Sequence, residues 1–213
     1  MGGPVKAQRD YDSSRRRDAA SARRARVLEA ARTLFLDVGF ARATVAAIAD
    51  QAGVSQETVY KSFGGKTGLV EALYRQGLEG EGPVPAYQRS DELRGTADPS
   101  TVLYGWSRLS MEVAPRVSPI WLMVRDAAVV DPALGVLLRE MDDDRYRRMT
   151  ENARFLADAG HLGAGVDVQA AADLMWSVTA PEMFELLVLR RGWSVERWAD
   201  SIYATISGLL RPR

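Results

Sequence analysis

Between Thr44 and Lys66 the chain reads Thr-Val-Ala-Ala-Ile-Ala-Asp-Gln-Ala-Gly-Val-Ser-Gln-Glu-Thr-Val-Tyr-Lys-Ser-Phe-Gly-Gly-Lys. No other stretch restricts the fold so much. Thr44 and Ser55 are residues that cap helix N-termini, and each stands just before a short run with helical spacing. Val45, Ile48 and Ala49 point one way from the first run, while Val59 and Phe63, four apart, form the inner side of the second. Gly53 makes the turn between them, and Glu57 in the first turn of the second suits its positive end. Two short helices joined in this way form a helix-turn-helix, which lays its second helix in a DNA major groove.

The flanks extend the same pattern. From Ser21 onward Val27, Leu28, Ala31, Leu34, Phe35 and Val38 recur at three- and four-residue steps, predicting a first helix that Gly39 stops. Arg23, Arg24 and Arg26 lie near its expected start, where the helix dipole does not favour cations and an external anion would. Gly64-Gly65 ends the third helix. Lys66 begins a fourth, with Leu69, Val70, Leu73 and Tyr74 as its apolar face. Residues 1–20 hold Gly2, Gly3, Pro4 and the cluster Arg15, Arg16, Arg17, with too few apolar residues to fold; a disordered basic arm is expected.

The formal net charge is zero, yet residues 1–76 carry 13 Lys and Arg against 8 Asp and Glu, and residues 77–213 carry 15 against 20. A basic head on an acidic body implies that the head meets a polyanion, with salt-dependent affinity from counterion release. There is no cysteine, which excludes disulfides, thiolate nucleophiles and Cys-based zinc sites. No apolar run approaches a membrane span and the N-terminus does not read as a signal sequence, so a cytoplasmic protein is expected.

Gly80, Gly82, Pro83, Pro85, Gly95 and Pro99 mark residues 80–99 as a linker. Beyond it the pattern is helical, with breaks expected at Pro115, Ser118-Pro119, Asp131-Pro132, Gly160–Gly165 and Gly192. Residues 168–190 are apolar on several sides, with Pro181 kinking that helix or starting a new turn. Ser194 then caps a last helix whose stripe is Val195, Trp198, Ile202, Ile206, Leu209 and Leu210. An all-round apolar helix needs burial on every side, which points to self-association through Leu186, Leu189, Trp198, Ile202, Ile206 and Leu209. An internal core helix is the other way to meet that need. The expected fold class is all-α: an N-terminal three-helix helix-turn-helix DNA-binding domain (21–79) and a C-terminal helical ligand-binding and dimerisation domain (100–213).

Residues 22–78 resemble the DNA-binding domain of TetR-family transcriptional regulators. The resemblance rests on Leu36-Asp37-Val38-Gly39-Phe40, on Thr44 with Ile48-Ala49 and Ala52-Gly53-Val54-Ser55, and on Thr58-Val59-Tyr60, Phe63, Lys66 and Leu69. It implies phosphate contacts from Thr44, Tyr60 and Lys66 and base readout by Gln56, Glu57, Thr58 and Lys61 beside the cap Ser55. Ser62 departs from it, standing where many members carry a histidine or an aromatic residue. The resemblance further implies a homodimer on a near-palindromic operator and a small-molecule effector that releases the DNA. Trp106, Met111, Trp121, Met123, Met149, Phe155, Trp176, Met183 and Phe184 are the soft, large side chains suited to line its pocket. An apolar or weakly polar effector is expected, with Arg125, Asp126 and Glu182 as candidate buried charges.

Catalytic chemistry has little to draw on. His161 is the only histidine and lies in a Gly-rich loop, Gly160-x-x-Gly163-x-Gly165 does not follow a strand, and Asp142-Asp143-Asp144 sits among Arg145, Arg147 and Arg148 as a solvated helical face. No catalytic residue, metal or cofactor is expected, and the chain does not read as an enzyme. The competing readings are an architectural or activating DNA-binding protein without an effector, and a helical ligand-carrier or protein-interaction module without DNA binding.

Overall fold

Ten α-helices succeed one another in the computed structural model, which describes residues 5–95 and 98–210, with side chains from Arg15 onward apart from Arg16. They are α1 (Val5–Arg42), α2 (Val45–Ala52), α3 (Gln56–Phe63), α4 (Lys66–Glu79), α5 (Ala86–Leu93), α6 (Pro99–Ala128), α7 (Pro132–Asp158), α8 (Val168–Val178), α9 (Pro181–Phe184) and α10 (Val195–Ser207). A π-helical segment, Glu185–Arg190, follows α9. The one pairing of β type among the described residues joins Leu162 to Leu210. Among the described residues no helix is long and apolar enough to cross a membrane. The chain divides after Leu73 into two compact units, so the boundary falls inside α4 rather than at its end.

In the first unit Val27, Ala31 and Phe35 of α1, Ile48 of α2, Val59 of α3 and Leu69 and Val70 of α4 are all but inaccessible to solvent. These are the apolar positions that the three- and four-residue spacing marks out. The Thr44 hydroxyl accepts the Ala47 N–H at 3.1 Å, and the Ser55 hydroxyl accepts the Thr58 N–H at 3.2 Å. Gly53 closes α2 in the left-handed conformation (φ 66°), as the short turn requires.

The N-terminal segment departs from its expected disorder. The helix of α1 runs back to Val5, and the described side chains from Arg15 to Arg26 are exposed. Extending a helix already anchored at Val27 adds one hydrogen bond per residue and avoids the costly nucleation step. Residues 1–4 and the Arg16 side chain of the expected basic arm lie outside the described residues.

The second unit is built on α6 and α7. Asp98, Asp131, Asp167 and Ser194 cap α6, α7, α8 and α10, with Pro99 and Pro132 at first helical positions. The breaks expected at Pro115 and Pro119 do not occur, since α6 continues through both. An internal proline costs about 3 kcal/mol. Against two of them, α6 buries Val102, Leu103, Trp106, Val117, Ile120, Trp121 and Val124, each worth about 1.5–3 kcal/mol. Packing outweighs the local preference.

The expected linker is also partly structured. Gly80 and Gly82 turn with positive φ, but Ala86–Leu93 forms α5, and the Arg89 guanidinium grips Glu112 of α6 through two hydrogen bonds of 2.9 and 2.5 Å. Thr96 and Ala97 of that stretch lie outside the described residues. Pro181 starts a new turn, α9, rather than bending one continuous helix.

One glycine in the first unit has no substitute. A Cβ on Gly68 would stand 1.8 Å from the Phe63 carbonyl oxygen, so the start of α4 passes directly against the backbone end of α3. Gly68→Ala is expected to destabilise the protein by about 1–3 kcal/mol through overpacking, read as a lower urea midpoint with an unchanged m-value.

Candidate nucleic-acid interface and ligand cavity

Helix α3 has one buried side and one free side. Val59 is fully buried and Phe63 half-buried, with the Arg24 guanidinium 4.5 Å from its ring centroid. Gln56, Glu57, Tyr60 and Lys61 are exposed, Tyr60 by 54%. The Tyr60 ring lies 3.6 Å from where a Gly65 Cβ would sit, so the glycine leaves room for it. Thr58 is half-buried, and its hydroxyl shares a 2.9 Å hydrogen bond with Ser55. Ser55 and Thr58 therefore hold the end of α3 together, while the four exposed residues remain open to a ligand. Thr44 is exposed, and while its oxygen caps α2 its O–H can donate outward.

Lys66 has partners within the chain. Its ammonium donates to the Phe40 carbonyl at 2.5 Å and to the Ala41 carbonyl at 3.5 Å, and it lies 4.2 Å from the Phe40 ring centroid. These carbonyls close α1, where backbone acceptors lack helical partners. A cation there is a C-terminal cap, favoured by the helix dipole as well. The arginines of α1 are likewise used internally. Arg24 covers Phe63, and Arg26 Nε reaches the Ala52 carbonyl at 3.4 Å. Because α1 begins far upstream, these residues lie mid-helix and face no dipole penalty. Sequence spacing marked them as unusual, but only the meeting of α1 with α2 and α3 shows their partners.

The second unit contains a cavity of about 160 Å3 between α4, α5, α6, α7, α8 and α10. Of the expected lining residues, Trp106 and Met149 border it. Met111, Trp121, Met123, Phe155, Trp176, Met183 and Phe184 do not. Trp121 is buried in packed core; Phe155 packs edge-on to Trp106, Phe184 to Trp198 and Trp176 to Tyr146. Met111, Met123 and Met183 are half-buried elsewhere.

The α10 stripe needs a larger correction. Trp198, Ile202, Ile206 and Leu209 are at most 5% exposed within a single chain, so they cannot form a dimer surface. They face α6 and α8, and Trp198, Ile202 and Ile206 line the cavity. Only Leu186 and Leu189, 46% and 55% exposed, remain on the outside.

Polar groups also reach the cavity wall: Tyr74, Tyr87, Arg145, Arg148 and Asn152. The Tyr74 hydroxyl donates to the Met141 carbonyl at 3.4 Å, and burial holds its phenol well above the usual range. Arg148 pairs with Asp91 at 2.7 Å and with Glu151 at 3.3 Å, and Arg94 donates to Asn152 at 2.7 Å. The charges singled out from sequence lie elsewhere. Arg125 pairs with Asp126 at 2.9 Å and Glu185 at 3.0 Å, while Glu182 is half-buried; none borders the cavity.

Residues 27–73, which span the helix-turn-helix, match the family model described as bacterial regulatory proteins, tetR family. Over that segment the chain is similar to the DNA-binding region of TetR-family regulators. It is 30% identical over 132 residues to the HTH-type transcriptional regulator BetI 1 of Chromohalobacter salexigens, covering 62% of this chain and 65% of that one, just under two thirds of the relative's length. The fold matches NalD, the secondary repressor of the MexAB-OprM multidrug efflux pump in Pseudomonas aeruginosa, with TM-score 0.70 and 20% identity over 92% of this chain and all of the other. It also matches a Saccharomonospora viridis protein solved in complex with choline, with TM-score 0.66 and 22% identity over 89% and 98% of the two chains.

The TetR-type head of this chain depends on Lys66 even without DNA. Lys66→Met keeps the stem but strands the Phe40 and Ala41 carbonyls, and should cost about 1–3 kcal/mol of stability in DNA-free protein. Equal urea midpoints for the variant and the parent would return Lys66 to a purely DNA-facing role.

Proposed function

We propose that the protein is a DNA-binding transcriptional regulator, acting as a homodimeric repressor that leaves its operator when a small molecule occupies the cavity. The observation that carries this reading is α3 itself: both ends capped, Val59 buried beneath it, and Gln56, Glu57, Tyr60 and Lys61 presented outward. Gln and Lys can address adenine or guanine edges and Glu can accept from cytosine, while a tyrosine hydroxyl and the Thr44 hydroxyl suit phosphates. The surplus of basic residues before position 77 supports the same polyanion.

Two copies would place their α3 helices in successive major grooves about 34–36 Å apart, on a near-palindromic site. Leu186 and Leu189, exposed at the π-helical segment, are the proposed apolar contacts between copies. Helix α4 begins with Lys66 and carries Tyr74 and Leu78, which line the cavity, so it is the covalent link between recognition and sensing. An effector that prefers one conformation of that link changes DNA affinity, with a coupling of roughly 1–3 kcal/mol, and DNA changes effector affinity by the same factor.

Gel-shift titration on genomic fragments at several salt concentrations tests this. Binding should weaken steeply with salt. Tyr60→Phe should lower affinity on every fragment alike, while Gln56→Ala should change the ranking of fragments, by about 1–3 kcal/mol at the bases it reads. No fragment preferred over random duplex at low salt would favour a carrier or interaction module instead. Equal loss for both variants on all fragments would overturn the division between phosphate and base contacts.

A further inference from the structure

We propose that the cavity of the second unit takes a small organic anion, a carboxylate on an apolar body, with Arg145 as its principal anchor and Arg148 beside it. This deepens the reading of the second unit as an effector domain and rests on it.

The charged side chains lining the cavity are two guanidiniums and no carboxylate. Arg145 is only 12% exposed. Of the five N–H donors a guanidinium carries, Arg145 has partners for two: the Trp176 carbonyl at 3.0 Å and Asp142 Oδ1 at a long 3.4 Å. Burial works against the charge on Arg145, and burial also pushes the Asp142 carboxyl up. Asp142, Glu182 and the Trp176 ring, 5.3 Å away, all favour the cation, but its one carboxylate hydrogen bond is long, and an anion entering the cavity would supply a closer one. Arg148 is better matched, held by Asp91 and Glu151, and adds field more than free donors.

Trp198 agrees with this, although the Trp121 and Trp176 indoles, away from the cavity, share its condition. It is 1% exposed, lines the same cavity, and its indole Nε1 has no hydrogen-bond partner among the described residues. A buried N–H without an acceptor marks a place where an acceptor is missing.

The remaining wall, including Leu109, Val113, Val117, Met149 and Ile202, is apolar. At about 160 Å3 the space compares with an apolar cavity of ~150 Å3 that holds benzene. One ring or a short branched chain fills it. Tyr74, Tyr87 and Trp106 could cage a quaternary ammonium, but two guanidiniums in the same wall repel a cation. A neutral ligand leaves the Arg145 donors as they were.

Calorimetric titration and thermal melts of the full chain, without DNA, separate these cases with three probes: phenylacetate, the neutral 2-phenylethanol, and choline, a cation that a protein of this fold was solved with. Phenylacetate should raise the melting temperature and bind at least about tenfold tighter than 2-phenylethanol, with choline silent. Arg145→Met should weaken phenylacetate about tenfold or more and leave 2-phenylethanol within about twofold, while melting below the parent because Asp142 and the Trp176 carbonyl lose their partner. Arg145→Lys keeps the charge without the planar fork and should fall between the two. It serves as the reading if the methionine variant does not fold. Phenylacetate bound no better than 2-phenylethanol, tighter binding of choline, or unchanged phenylacetate affinity in both variants would overturn the proposal. So would indifference to phenylacetate and to a branched-chain probe, isovalerate. Carboxylate binding in a chain that shifts no DNA would sink the regulator reading and leave this one standing. The reverse pattern would do the opposite.

Discussion

Everything the first unit presents depends on the burial of Val59 under a helix of eight residues. A helix so short is not stable by itself in water. Three features hold it: Ser55 at its start, Gly64 in the left-handed conformation at its end, and the complete burial of Val59. If Val59 turned outward, the exposed face of Gln56, Glu57, Tyr60 and Lys61 would turn inward with it, because one rotation sets all the side chains of a helix. Lys66 and Gly68 secure the other boundary, one by capping α1 and the other by letting α4 approach the Phe63 carbonyl.

This local logic explains which parts of the fold could be read from the chain alone. Caps, left-handed glycines and i, i+4 apolar pairs act within a few residues, so α2, α3 and the starts of α4, α7, α8 and α10 were foreseeable from Thr44, Gly53, Ser55, Lys66, Asp131-Pro132, Val168 and Ser194. What depends on distant partners was not. Pro115 and Pro119 look like helix breakers until the buried side chains on either side are weighed against them. Lys66 looks available for phosphate until the end of α1 is brought to it. The α10 stripe shows that a helix has an apolar face without showing whether α6 or another copy covers it.

The candidate cavity was even less legible, for a physical reason. Hydrophobic lining residues and core residues have the same composition, and only packing decides which side chain is left with a gap beside it. Trp106 and Met149 meet the gap, whereas Phe184 and Trp176 close on aromatic neighbours. The run from Asp142 to Arg148 has the pattern of a solvated face, which holds for Arg147 but not for Arg145 and Arg148, at 12% and 11% exposure. A helix that alternates acid and base along its length can turn some of its charges inward, and spacing does not say which.

The sign of the charge at the cavity runs against the sign of the chain around it. Residues 77–213 carry five more acidic than basic side chains, which would seem to discourage an anionic ligand. Distance decides between the two. Charges exposed to solvent are screened over about 8 Å at physiological salt, so a diffuse excess of five acts weakly on a buried site. Arg145 acts at hydrogen-bond range and is itself largely shielded from solvent, where each charge pair is stronger than in bulk water. The acidic exterior therefore bears on which polyanions the second unit avoids, and the two guanidiniums bear on which small anion it admits. An acidic body and an anion-binding interior are thus compatible in one chain.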